Sequence, residues 1–93
     1  MTITVQAQLG GKPVQFNQHQ ITDLFHVMYY GSRVWGRTQW FGHPILKCPM
    51  DMWIYQELIW KIRPDYIIET GTFQGGSALY YAHLFDLMGH GEI

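Results

Sequence analysis

One segment constrains the fold more than any other: Gly71-Thr72-Phe73-Gln74-Gly75-Gly76, set between a β-branched run and a helical pattern. The run before it, Asp65-Tyr66-Ile67-Ile68-Glu69-Thr70, is bounded by Pro64 and Gly71 and reads as a buried parallel strand. After it, Ser77 to Met88 carries apolar Ala78, Leu79, Ala82, Phe85 and Leu87, with Ser77 able to cap the start. Gly89-His90-Gly91 is a helix stop signal, and Glu92-Ile93 begins another strand. Strand, tight glycine turn and helix make a βα unit, so the spacing predicts the α/β class.

The same turn carries chemistry. Glycines let a backbone approach a ligand without a Cβ clash and permit positive φ angles. The helix that follows presents unpaired N–H groups at the positive end of its dipole. Glu69, at the carboxyl end of the strand, sits where doubly wound sheets bind ligands. A phosphate-binding loop would end in Gly-Lys-Ser or Gly-Lys-Thr, whereas this one ends in Gly-Gly-Ser. The dinucleotide fingerprint needs a glycine where Phe73 stands, which disfavours a nicotinamide cofactor. A carboxylate two places before the first glycine suits a cationic ligand better than a pyrophosphate. S-adenosylmethionine, with its sulfonium and α-amino group, is such a ligand. Each residue also has a plainer reading. Glu69 can be a solvated strand-end carboxylate, and Gly71, Gly75 and Gly76 can serve the turn alone. Ser77 can be only a helix cap, and Thr70, Thr72 and Gln74 only exposed loop residues.

Upstream, Ile3-Thr4-Val5-Gln6-Ala7-Gln8 alternates apolar and polar residues, the period of a half-exposed strand. Gly10-Gly11 is turn chemistry, and Pro13-Val14-Gln15-Phe16 returns as an edge strand of a hairpin. Asn17 to Tyr30 is expected to be a helix, with Thr22 and Asp23 as N-terminal polar groups and Ile21, Leu24, Phe25 and Met28 as its stripe. Val34 to Cys48 interleaves glycine with Trp35, Trp40 and Phe41, which suits a packed loop. Pro49 to Ile62 reads as a second helix, with Asp51 in its first turn, Lys61 near its end and a Tyr55, Leu58, Ile59, Ile62 stripe. The four tryptophans, Trp35, Trp40, Trp53 and Trp60, are expected to cover the first strand.

Composition bounds the function class. Apolar residues are 47% of the 93 and charged residues only 14%, against roughly 25% in an average soluble domain. Such a chain is not disordered, and one so short and charge-poor is expected to bury surface elsewhere, as part of a longer protein or against another chain. Net charge is −1 with no basic stripe, so no nucleic-acid partner is expected. A single cysteine, Cys48, excludes an internal disulfide and suits a reducing, cytoplasmic setting. No apolar run reaches the roughly 18 residues of a membrane span, and Met1 to Gly10 has no secretory signal pattern. The five histidines show no metal-helix spacing, so no metal site is assigned to this chain. His83 reads as structural or surface, and His43 is kept as an acceptor-facing alternative. Cys48, although next to Lys47, has no identifiable base and reads as packed.

From Trp35 onward the chain resembles the cephalosporin hydroxylase and rhamnosyl O-methyltransferase family. The resemblance rests on Trp40-Phe41-Gly42, Pro44 through Trp53, Tyr55-Gln56-Glu57, Arg63 through Gly71, and Gly75-Gly76-Ser77-Ala78-Leu79, about half of the chain. It implies the N-terminal part of a Rossmann-like class I methyltransferase fold: hairpin and helices first, then the first βα unit. It places residues 1–48 before that domain and residues 49–93 at its start. Glu69, Thr70, Gly71, Gly75, Gly76 and Ser77 would then contact S-adenosylmethionine, with a sugar, glycolipid or small natural product as the methyl acceptor. The ribose-binding acid, the acceptor pocket and any Mg2+ ligands would lie downstream and no catalytic base is assigned, so the segment alone is expected to be inactive. A degenerate half-domain acting as an interaction module, and a homo-oligomeric state, are the alternatives left open.

Overall fold

A computed structural model describes residues 3–93, which divide into two compact units, one ending at Arg33 and the other Val34–Ile93. The first unit is the expected hairpin and helix. Strands β1 (Thr4–Leu9) and β2 (Lys12–Asn17) pair antiparallel, Thr4 opposite Asn17 and Leu9 opposite Lys12, around the two-residue turn Gly10-Gly11. Helix α1 (Gln18–Ser32) follows at once. Its cap is Asn17, the first residue of the expected helix. The Gln20 amide donates to Asn17 Oδ1 at 2.9 Å, and the Asn17 amide donates to Gln20 Oε1 at 3.0 Å. This reciprocal box satisfies two of the orphan donors at the helix start. Replacing Asn17 with alanine is expected to cost about 1 kcal/mol. Loss of amide-exchange protection at Gln20 with a matching fall in stability would bear this out, and unchanged stability would contradict it.

The stripe foreseen on α1 is not buried: Leu24, Phe25 and Met28 are all exposed, although Phe25 stacks on Tyr29.

The second unit holds the core. The stretch expected to be irregular contains a 3-10 turn, Val34–Gly36, and a minimal hairpin of β3 (Gln39–Trp40) and β4 (His43–Pro44). Phe41 and Gly42 supply the two positive φ angles, 48° and 80°, that a tight primed turn requires. Thr38 locks the base of this hairpin, because its carbonyl accepts from the Ile45 amide while its hydroxyl donates to the Ile45 carbonyl.

Helix α2 (Pro49–Ile62) begins on proline, carries Asp51 in its first turn and Lys61 in its last, and ends on Arg63 in the left-handed region. Helix α3 (Gly76–Met88) ends on Gly89, as its stop signal indicated. Their inward faces differ from the expected stripes. On α2, Met52, Tyr55 and Ile59 face the core, while Leu58 and Ile62 are exposed. On α3, Tyr80, Tyr81 and Phe85 are buried, and Leu87 is 85% exposed. The centre is Ile45, Ile59, Tyr80, Tyr81 and Phe85. Aromatic rings bury more area than alanines or leucines do, so Tyr80 and Tyr81 outweigh Leu79 and Leu87 for the inside positions. The tryptophans divide as well: Trp40 packs against the core, whereas Trp53 and Trp60 are exposed instead of covering the strand.

The run Asp65 to Thr70 was expected to be a buried strand and is neither buried nor a continuous ladder. It makes one parallel bridge, Tyr66 to Glu92, in which the Ile67 amide donates to the Glu92 carbonyl and the Glu92 amide to the Asp65 carbonyl. Tyr66 is 70% exposed and Ile68 91% exposed. A parallel strand is held by neighbours on both sides and helices on both faces. Among the described residues only Glu92 pairs with this run. The bridge nevertheless gives the order of a βα unit: extended segment, glycine turn, helix, and a return in parallel. The architecture is therefore mixed α/β, with two small antiparallel hairpins and three α-helices among the described residues. No helix among those residues is long and apolar enough to cross a membrane.

Candidate functional site

The site is built from the turn between the bridged segment and α3. The Gly75 amide donates to the Thr72 carbonyl at 2.9 Å, closing a four-residue turn with Phe73 and Gln74 at its tip. Gly71 and Gly75 hold φ angles of 71° and 83°, and a Cβ at either would meet no atom within 4 Å. Glycine is needed there for backbone conformation, with open ground around it.

Gly76 is glycine for a different reason. A Cβ at this position would lie 2.1 Å from the Pro44 carbonyl oxygen and 2.9 Å from the Ile45 Cβ. The β3–β4 hairpin thus backs directly onto the first residue of α3, and only glycine admits that approach.

Helix α3 has Gly75 as its N-cap, with no side chain capping it. The first helical bond runs from the Leu79 amide to the Gly75 carbonyl. The amides before Leu79 therefore belong to the unpaired set at a helix start, and they face a positive dipole end. Ser77, foreseen as a possible cap, lies inside the first turn instead, and its Oγ is buried without a hydrogen-bond partner. Glu69 is half-buried, and its Oε2 is likewise buried and unpartnered. Buried polar atoms are almost always satisfied, so two orphans flanking one glycine turn mark a place that a polar ligand would complete. Thr70 and Gly71 are exposed beside them. The structure thus brings Glu69, Thr70, Gly71, Gly75, Gly76 and Ser77 into one loop and helix start, with Gly76 turned to packing.

Sequence reasoning did not anticipate the support behind the loop. Trp40 donates from Nε1 to Nδ1 of His83 at 2.8 Å, and Phe41 meets the same imidazole edge-on at 5.2 Å. Indole N–H is only a donor, so His83 Nδ1 must be the unprotonated nitrogen. His83 is consequently a structural residue that ties the hairpin to α3. Its separation of 43 positions from Trp40 left no local signal. Tyr80 contributes a second tie, donating its hydroxyl to the Met52 carbonyl of α2. Burial, and then the neighbouring Tyr81 and Tyr55 phenols, raise the Tyr80 hydroxyl above its ordinary range, which keeps it a donor.

Lys47 spends its charge on the aromatic core, with Nζ 4.9 Å from the Tyr55 ring centre and 5.4 Å from that of Tyr81. Cys48 is partly buried at the start of α2 and free. An apolar cavity of about 540 Å³ opens between β3, α2 and α3, against Trp40, Met52, Trp53 and Tyr80. None of the six predicted cofactor residues lines it. Two of the buried unpartnered polar atoms, Glu69 Oε2 and Ser77 Oγ, flank the glycine turn, and that turn is the candidate site.

An α/β unit with a glycine turn at a helix start that no side chain caps is the class defined by this geometry. Residues 32–93 match the family described as rhamnosyl O-methyltransferase/CmcI, and the chain belongs to that family. It is 44% identical over 64 residues to a rhamnosyl O-methyltransferase of Mycobacterium leprae, covering 69% of this chain. It is 39% identical over 69 residues to the proteins of that name from Mycobacterium bovis and Mycobacterium tuberculosis, covering 74% of this chain. The chain spans 28% of the length of these curated relatives. No solved structure matches it. The family match starts at residue 32, next to the division between the two compact units, and takes in the whole glycine turn.

Proposed function

We propose that this chain is the N-terminal segment of an S-adenosylmethionine-dependent O-methyltransferase acting on a sugar hydroxyl, free or lipid-linked. The observation that carries the reading is the pair of orphaned buried atoms, Glu69 Oε2 and Ser77 Oγ, on either side of a glycine turn at an uncapped helix start. The names of the relatives support the reaction and the acceptor class. In this reading residues 49–93 begin the Rossmann-like cofactor domain and residues 1–48 precede it. The parallel bridge between Tyr66 and Glu92 is the first rung of its sheet. The exposed Tyr66 and Ile68 are positions that neighbouring strands and helices of the complete domain would cover.

Bound S-adenosylmethionine would supply a methyl group on a sulfonium for in-line transfer to the acceptor oxygen. Glu69 would accept from the cationic amino group, for which a carboxylate is the fitting partner. Ser77 Oγ and the first amides of α3 would take the polar groups at the turn, while Thr70 lies alongside. Gly71 and Gly75 would let the backbone close on the ligand. Orientation in this cradle contributes to rate by removing rotational freedom before reaction. A base, with or without Mg2+ held by residues downstream of this chain, would take the hydroxyl proton. Calorimetric titration of the full-length protein with S-adenosylmethionine and, separately, with NADH tests the reading. Saturable binding of the first alone is expected. Binding of NADH instead, or of neither, would overturn it.

A further inference from the structure

Four non-glycine residues adopt left-handed backbone: Arg33, Phe41, Arg63 and Phe73. All four serve a local cap or turn. Arg33 and Arg63 are helix C-caps whose amides bond back to Tyr30 and Ile59. Phe41 turns the β3–β4 hairpin and packs on Trp40 and His83. Phe73 turns the loop that the Gly75 amide closes on the Thr72 carbonyl, but its ring, unlike that of Phe41, packs on no other aromatic ring among the described residues. Its φ is 51°, at a turn position where glycine would be unstrained, and its side chain is 62% exposed. A strained backbone holding an apolar ring out to solvent is two unfavourable choices at one residue. Such outliers concentrate where a ligand makes use of them. Phe73 is two residues from Gly71 and two from Gly75, whose surroundings are open, in the loop between Glu69 and Ser77.

An aromatic face and a carboxylate on one loop are both receptors for positive charge. On the reading that this loop holds S-adenosylmethionine, the ligand brings two cations, an ammonium and a sulfonium. The carboxylate of Glu69 matches the first. We infer that Phe73 is a binding residue for the second, its ring facing the sulfonium, so that the loop distinguishes the methylated cofactor from its demethylated product. S-adenosylhomocysteine has the same ribose, base and amino acid but a neutral thioether. The ring therefore favours the form with the methyl group and loosens once that group has left, which helps the product to depart.

The test compares the affinities of S-adenosylmethionine and S-adenosylhomocysteine by calorimetry in the full-length protein and in its Phe73→Leu and Phe73→Tyr variants. Leucine keeps the apolar bulk and the backbone strain but has no π face. Phe73→Leu is expected to weaken S-adenosylmethionine about tenfold and leave S-adenosylhomocysteine within about twofold, the range of one cation–π contact. Phe73→Tyr should restore the wild-type ratio of the two affinities. If both ligands bind the native protein and Phe73→Leu leaves that ratio unchanged, the inference fails while the cofactor reading stands. An unchanged ratio with a lowered melting temperature would identify the ring as a packing residue. If the native protein binds neither ligand, the reading and the inference fall together.

Discussion

Gly76→Ala is expected to destabilise the Val34–Ile93 unit strongly, lowering its stability by about 2–3 kcal/mol. The added Cβ would stand 2.1 Å from the Pro44 carbonyl oxygen and 2.8 Å from its carbonyl carbon, both backbone atoms that no rotamer change can move aside. Alanine's better helix propensity returns at most about 1 kcal/mol, so the clash wins. For a unit of this size the melting temperature should fall by roughly 10 °C or more. Gly75→Ala is the matched control. It is strained by a φ of 83° but meets no atom within 4 Å, and should cost only about 1 kcal/mol. Thermal melts of both variants check the order. If Gly75→Ala proves the worse of the two, the hairpin does not brace the start of α3.

Glu69→Gln should separate binding from stability. The substitution keeps shape and removes charge, so S-adenosylmethionine affinity is expected to fall between about tenfold and a hundredfold, the range for a hydrogen bond to a charged group. Stability should hold or rise slightly, because Oε2 is a buried oxygen with no partner in the folded chain. A residue present only for structure would behave in the opposite way, losing stability with no change in affinity. Calorimetric titration beside a urea melt distinguishes the two, and a parallel loss of both would make Glu69 a structural carboxylate.

These two residues mark what could be read locally and what could not. The requirement for glycine at Gly71 and Gly75 was legible, because a turn between a strand pattern and a helix pattern demands positive φ. The requirement at Gly76 was legible only as part of that motif. Its physical cause, the Pro44 carbonyl, lies more than thirty positions away in the chain. Glu69 was singled out by its place before the loop, but its orphaned oxygen is a property of packing. Phe73 was noted solely as a departure from the dinucleotide fingerprint, since a left-handed phenylalanine carries no sequence signature.

By itself the sequence determined the elements whose causes are neighbours in the chain. Gly10-Gly11 makes the first hairpin, Pro49 starts α2, Gly89 ends α3, and the glycine turn joins the bridged segment to α3. It also determined the family, because residue order over many positions is retained even where single motifs are weak. Tertiary structure decided which faces turn inward. Helical periodicity defines an apolar side only when the other side is polar, and α2 carries large apolar residues all round. Contact with the hairpin and with α3 then selected Met52, Tyr55 and Ile59, and left Trp53, Leu58, Trp60 and Ile62 outside. The strand expected at Asp65 to Thr70 was decided in the same way. A parallel strand exists through its neighbours, and with Glu92 as its one partner among the described residues it forms a single bridge.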